Sequence, residues 1–272
     1  MKIGTGGRIG LTIWALIVLA FVYLPLLVVG INSVNADRTF GWPPSGFTTR
    51  WWSLAAQAEG PRQALWMSLK AGLGATAIAL VLGTLLALAL SRFAFWGKSV
   101  ISLLVILPIA LPGIVTGIAL QSVIQNILDP IFGVSAGLFT IIVGHATFCI
   151  VVVYNNVAAR LRRLGVSLEA ASADLGAGPF TTFRRVTFPL LRSSLVAAAL
   201  LAFGLSFDEI VVTTFTAGPG APTLPIWIFN NLFRPNQAPV VNVVAVVLVL
   251  GSIIPVALAQ WIGGRDALES RV

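Results

Sequence analysis

The sequence predicts an all-α membrane protein with six transmembrane helices, and its composition, its apolar stretches and its basic residues carry that prediction. Hydrophobic residues make up 57% of the 272 residues, charged residues only 10%, and the mean hydropathy is +0.96. Soluble domains carry about 25% charged residues, so a soluble globule is excluded. The apolar content excludes a disordered chain, and the single cysteine, Cys149, excludes a disulfide scaffold.

Six apolar stretches make up most of the chain. They cover residues 9–31, 64–90, 99–125, 138–159, 193–216 and 239–262. At about 1.5 Å per residue, each exceeds the roughly 30 Å hydrocarbon core of a bilayer. The first stretch is too long for a signal-peptide core and lacks a small-residue cleavage site, so we expect a retained helix. The chain has no evident internal repeat and no polar linker, so residues 1–272 are predicted to form one transmembrane domain.

The basic residues predict the orientation, because cytoplasmic loops carry an excess of Lys and Arg. With the N-terminus inside, twelve of the 17 basic residues fall on the inner side and five on the outer side. We therefore expect both termini to be cytoplasmic. The inner set is Lys2, Arg8, Arg92, Lys98, Arg160, Arg162, Arg163, Arg184, Arg185, Arg192, Arg265 and Arg271.

The most polar segment on the predicted inner side is loop 160–192. Ser167 is a suitable helix cap, the following residues favour a helix over 168–175, and Gly176 can end it in the left-handed conformation. A helix this short is not stable alone, so it needs a surface to pack on. That surface is either the lipid headgroups or a cytoplasmic partner.

A family resemblance favours the partner. The loop reads Glu169-Ala-Ala-Ser-Ala-Asp-Leu-Gly176 and then Phe183-Arg-Arg-Val-Thr-Phe-Pro189, and it resembles the EAA loop of permease subunits in ATP-binding-cassette (ABC) importers. That loop is the coupling helix, which docks on the ATPase subunit. The family's glutamate would fall at Ala170, so Glu169 comes one residue early and points about 100° away around the helix. The resemblance implies ATPase-coupling contacts from Glu169, Ala170, Ala171, Asp174 and Gly176.

A second block narrows the resemblance. Residues 205–226 include Ser206-Phe-Asp-Glu209, Ala217-Gly-Pro-Gly220 and Thr223-Leu-Pro-Ile226. They are similar to the second permease of spermidine/putrescine importers. Pro108, Pro112, Gly113 and His145 are similar to that group as well. The resemblance covers roughly residues 10–262 and is more specific for the polyamine-type branch than for any one substrate.

Two acidic residues, Asp208 and Glu209, lie inside the fifth apolar stretch. An ionised carboxylate at a helix centre costs roughly 2.5–3.5 kcal/mol, so neither is expected to face lipid. Neighbours diverge by about 100°, so one could line a path for a cationic solute while the other bonds to a helix. The structural alternative is a polar lock or a helix break, since Ser206-Phe-Asp-Glu209 has the form of a capping box. The predicted substrate pathway comprises Asp208, Glu209, Phe207, Thr213 and His145, although a lone histidine in a span is more often an interhelical hydrogen-bond partner.

The sequence gives no sign of a catalytic, nucleotide or metal site. Gly97-Lys98-Ser99 is not a phosphate-binding loop, because position 92 is Arg where such a loop needs Gly. We expect no enzyme activity, no metal and no cofactor bound by this chain. The resemblance implies that ATP and Mg bind a partner ATPase.

The resemblance implies the type I ABC importer permease architecture, set in the bacterial inner membrane. It implies a homologous second permease, an ATPase dimer inside and a substrate-binding protein outside, with import of a polyamine or related amine by alternating access. One alternative is a proton- or ion-coupled carrier that uses Asp208, Glu209 and His145, although no inverted repeat is evident. Another is a membrane scaffold that recruits a soluble protein, which has no need of buried carboxylates.

Overall fold

The computed structural model describes residues 4–38, 42–220 and 222–269, and these segments are predominantly helical. An isolated bridge between Asn35 and Phe47 is the one β pairing within them. Two π-helical turns, Ile124–Leu128 and Phe183–Thr187, precede α6 and α10. The helices are α1 (Thr5–Asn32), α2 (Arg50–Gln57), α3 (Glu59–Arg92), α4 (Lys98–Ala110), α5 (Gly113–Val123), α6 (Asp129–Phe132), α7 (Leu138–Leu164), α8 (Ser167–Asp174), α9 (Pro179–Thr182), α10 (Phe188–Phe207), α11 (Val211–Thr216), α12 (Leu224–Asn231) and α13 (Ala238–Glu269).

Among the described residues, five helical segments are long and apolar enough to cross a membrane. Helix α4 and the Ala238–Ile253 part of α13 are shorter apolar helices. The prediction of an all-α membrane protein is therefore confirmed. The five segments are Gly6–Asn32, Glu59–Arg92, Gly113–Phe132, Leu138–Leu164 and Pro179–Phe207.

Two of the predicted apolar stretches are not single helices. The stretch 99–125 is divided between α4 and α5, because Leu111 is extended (φ −80°, ψ 141°) directly before Pro112. A residue that precedes proline is pushed out of the α region, so Leu111 and Pro112 end the helix and the stretch is not one continuous span. The stretch 193–216 is interrupted between α10 and α11.

The chain forms two compact units. The first contains the described residues up to Arg62 together with Ile228–Ile253. In it, Trp51 is buried and donates its indole N–H to the Asn35 carbonyl (2.7 Å). This hydrogen bond ties α2 to the segment that follows α1. Within α2, the Arg50 guanidinium lies 4.1 Å from the Trp51 ring centroid.

The second unit contains Gln63–Trp227 and the described residues from Ile254 onwards, and α7 is its central helix. Small residues let the neighbouring helices approach α7 closely, as is common in membrane bundles. A Cβ at Gly83 of α3 would lie 2.8 Å from the Val153 Cβ. The buried cluster comprises Ala79, Ala87, Phe148, Cys149, Val153, Val157, Ala158, Leu161, Leu191, Ala198, Ala202 and Val212.

The short helix predicted in loop 160–192 is α8, and one predicted end is correct. Gly176 is left-handed (φ 82°), and its N–H and that of Ala177 bond to the carbonyls of Ala173 and Ser172. This is a Schellman ending. The prediction for Ser167 is wrong, because Ser167 is the first helical residue and no side-chain bond caps the helix.

Candidate functional site

The centre of the site is a helix break between α10 and α11, and Asp208 and Glu209 lie in this break. Helix α10 ends at Phe207, and α11 begins at Val211. The Glu209 carboxylate accepts the backbone N–H of Val212 (2.9 Å) and of Thr213 (2.8 Å). The first N–H groups of a helix have no partner within the helix, and in hydrocarbon each unpaired group costs several kcal/mol. Glu209 therefore stabilises the start of α11.

The capping-box prediction was wrong about the role of Ser206. Ser206 lies inside α10 and is buried, and its hydroxyl lies 2.7 Å from His145 Nδ1. The cap is the Glu209 carboxylate alone. A capping box joins a serine to the N–H three residues later, whereas here Ser206 turns to a neighbouring helix.

His145 joins α7 to both halves of the broken helix. Its ring is fully buried, with Nε2 2.7 Å from Thr213 Oγ1 and 3.7 Å from Glu209 Oε2. The Thr213 hydroxyl donates towards Glu209 Oε2 (3.1 Å). Every bond is satisfied if Ser206 donates to Nδ1 and Nε2–H donates to Thr213, since a hydroxyl both donates and accepts. His145 and Thr213, both predicted for the pathway, thus form a polar lock between helices.

Asp208 differs from its neighbour. Asp208 is exposed. Among the residues that the structure describes, no hydrogen bond or ion pair involves its carboxylate. Its backbone N–H completes the last turn of α10 by bonding to Gly204 (3.2 Å). Phe207 is half-buried, and its ring centroid lies 5.6 Å from that of Phe203, with the two rings tilted by 36°. The two adjacent carboxylates therefore have different environments: Glu209 bonds to the start of α11, and Asp208 is exposed without a side-chain partner among the described residues.

A cavity of about 230 Å³ lies where the two helix breaks meet. Its wall is apolar apart from Glu209 and Thr116. The Thr116 hydroxyl is buried and has no hydrogen-bond partner among the described residues. Sequence reasoning missed Thr116, since a single threonine in an apolar stretch gives no signal. The lining includes Pro108, Gly113, Thr116, Phe148, Leu205 and Glu209.

The residues predicted to couple to an ATPase divide into an exposed set on α8 and just after it, and one residue that faces inwards. Ala170, Ala171, Asp174 and Gly176 are exposed. Glu169 faces the rest of the bundle and forms a bidentate ion pair with Arg92, with Nε–Oε2 2.7 Å and Nη2–Oε1 3.2 Å. Large apolar side chains flank the exposed face, with Leu175 89% and Phe180 75% exposed.

Spanning helices broken around a carboxylate are typical of membrane transport proteins, in which substrate sites lie at discontinuous helices. The helix breaks, the cavity and the exposed loop helix are the features expected of an all-helical membrane transport protein. The comparison with protein families then identifies which one. Residues 79–265, more than half of the chain, match the family model described as the binding-protein-dependent transport system inner membrane component.

Curated relatives agree over nearly the full length. The spermidine/putrescine transport system permease protein PotC of Escherichia coli (strain K12) is 34% identical over 247 residues, which are 91% of this chain and 90% of that protein. The putrescine transport system permease protein PotI of the same organism is 32% identical over 266 residues, 95% and 93% of the two chains.

The fold is also similar to that of a solved ABC transporter. The crystal structure of a bacterial ABC transporter involved in the import of the acidic polysaccharide alginate matches with a TM-score of 0.72 and 16% identity, covering 96% of this chain and 98% of that chain. The chain therefore belongs to the binding-protein-dependent transport system inner membrane component family and is a membrane permease subunit of an ABC importer. The resemblance predicted from the two sequence blocks is confirmed.

Proposed function

We propose that this permease subunit imports a polyamine or a related small amine, and that the Asp208 carboxylate receives its cationic group. The relatives over 30% identical are named for spermidine and putrescine. Asp208 supplies the chemistry, because it is an exposed carboxylate at a helix break with no partner among the described residues. This exposed carboxylate is the observation that carries the proposal.

The neighbouring cavity suits an aliphatic amine. Its wall is apolar, which matches methylene groups, and Glu209 and Thr116 add oxygen acceptors at the wall. Glu209 remains a predicted pathway residue in this proposal, with its charge already shared between two backbone N–H groups. Phe207, Thr213 and His145 support the same region from the half-helices and α7.

The energy for transport comes from a partner subunit that hydrolyses ATP. In our proposal the exposed face of α8 docks on an ATPase subunit that binds ATP and Mg, while this chain binds no cofactor and catalyses no reaction. A homologous second permease completes the pathway, and an extracytoplasmic binding protein delivers the solute. Both termini face the cytoplasm of a bacterial cell. ATP binding then shifts the permease between inward- and outward-open states, which is effective only if the two states differ in affinity for a ligand.

A proton-coupled carrier is the remaining candidate of another class. It would use Asp208, Glu209 and His145 as protonation sites. The hydrogen-bonded lock explains His145 without proton transport, and the family match argues for ATP-driven import.

The test is uptake of labelled putrescine and spermidine into proteoliposomes that contain the co-expressed complex. The binding protein is outside, ATP is trapped inside, and no ion gradient is imposed. Uptake that requires both ATP and the binding protein is expected. ATPase activity stimulated by the binding protein, without uptake of either amine, would exclude the polyamines but not the importer. Uptake that appears only with a proton gradient would contradict the importer mechanism.

A further inference from the structure

The Glu169 carboxylate connects three elements of the second unit. Both of its oxygens bond to Arg92, the last residue of α3. Oε1 also accepts the hydroxyl of Thr187 (2.9 Å), which lies directly before α10. Arg92 completes the cluster by donating to the Gly165 carbonyl (2.8 Å), at the end of α7.

This cluster is partly shielded from water. The side chains of Arg92 and Glu169 are 15% and 24% exposed, and Thr187 is buried. Bidentate Arg–carboxylate pairs fix geometry as well as charge. The acceptor capacity of Glu169 is directed inwards, whereas Ala170, Ala171 and Asp174 are exposed. The glutamate that lies one residue early in the EAA-type motif is therefore on the inner face of α8.

Helix α10 links this cluster to the helix break. It runs for 20 residues from Phe188, next to Thr187, to Phe207, next to Asp208. At about 1.5 Å per residue it spans roughly 30 Å. Because a helix is stiff over this length, a displacement at Thr187 reaches Asp208.

We propose that Glu169 is a positioning residue that fastens α8 to α3 and α10, and that it does not contact the ATPase. The Glu169–Arg92–Thr187 cluster passes the movement of α8 to the two spanning helices. This inference rests on the proposed docking of α8 to an ATPase, and it adds which residue transmits the movement and which residues make the contact.

The test uses the full complex in proteoliposomes with Arg92→Gln, Glu169→Gln, the double variant and the charge swap Arg92→Glu/Glu169→Arg. Arg162→Gln is the matched control, because Arg162 is exposed and none of the hydrogen bonds and ion pairs described for the cluster involves it. Amine uptake per ATP hydrolysed, ATPase subunit recovered on purification, and thermal stability are measured together.

Each single variant is expected to lower uptake per ATP about tenfold, within the range of measured coupling energies. The double variant should lower it no further, because the two residues act as one pair. The swap should recover part of the loss, and ATPase recovery should stay normal in all variants. Thr187→Val should show a smaller loss of the same kind.

Three results would overturn the proposal. Loss of the ATPase subunit from Glu169→Gln but not from Arg92→Gln would show that Glu169 contacts the ATPase. A hundredfold loss in the double variant would show that the residues act independently. Equal loss of uptake and hydrolysis with reduced stability would make the cluster merely structural. Failure of the proposed function is separate, since the unsubstituted complex would then show no uptake.

Discussion

Replacing Glu209 and Asp208 one at a time should separate stability from transport. In Glu209→Ala the N–H groups of Val212 and Thr213 lose their acceptors. An unsatisfied buried donor costs about 1–3 kcal/mol. The Glu209 side chain is 15% exposed, which lets water relieve part of the loss, so we expect a destabilisation of about 2–4 kcal/mol. Glu209→Gln keeps one carbonyl oxygen and should lose about half as much.

Asp208→Ala removes no hydrogen bond that the structure describes, so stability should stay within about 0.5 kcal/mol of the unsubstituted protein. The assay heats the purified complex and follows the fraction that stays monodisperse. Glu209→Ala should lower the midpoint by roughly 5–10 °C, and Asp208→Ala should leave it unchanged. Equal midpoints for Glu209→Ala and the unsubstituted complex would refute the capping role, and an equally low midpoint for Asp208→Ala would refute the division between the two carboxylates.

Three further predictions concern the lock, the packing and the loop. His145→Ala should cost about 2–4 kcal/mol, because two buried hydroxyls lose a partner; His145→Gln should recover part of the melting temperature, and full stability in His145→Ala would contradict the lock. Gly117→Ala should lower the melting temperature because its Cβ would collide with the Phe215 ring, and the second change Phe215→Leu should restore it; a neutral Gly117→Ala would contradict that packing. Gly176→Ala should cost about 1–2 kcal/mol at φ 82° and reduce ATPase recovery, with Gly176→Asn milder; normal recovery would show that the ending of α8 is dispensable.

Local chemistry explains what the sequence could predict. The apolar stretches indicate where the spanning helices lie, because the insertion of a long enough segment into lipid depends on its composition. The ending of α8 at Gly176 was predictable because the left-handed backbone conformation favours glycine. Asp208 and Glu209 were recognisable as a site because charge inside an apolar stretch is expensive.

The remaining features depend on residues far apart in the chain. The pair of Arg92 and Glu169 joins positions 77 residues apart, and no local pattern indicates it. Ser206 could cap locally, but His145, 61 residues earlier, offers it a partner in another helix. Tertiary contacts decide in both of these cases.

The role of Asp208 is tested most directly by uptake of labelled putrescine in Asp208→Asn and Asp208→Glu complexes with normal stability and normal ATPase recovery. Removing the charge while keeping the shape should reduce uptake at least tenfold, since a charge-assisted bond to an amine is worth about 1.5–3 kcal/mol. Asp208→Glu should retain much of the uptake. Unchanged uptake in Asp208→Asn would contradict the proposal that this carboxylate receives the cation.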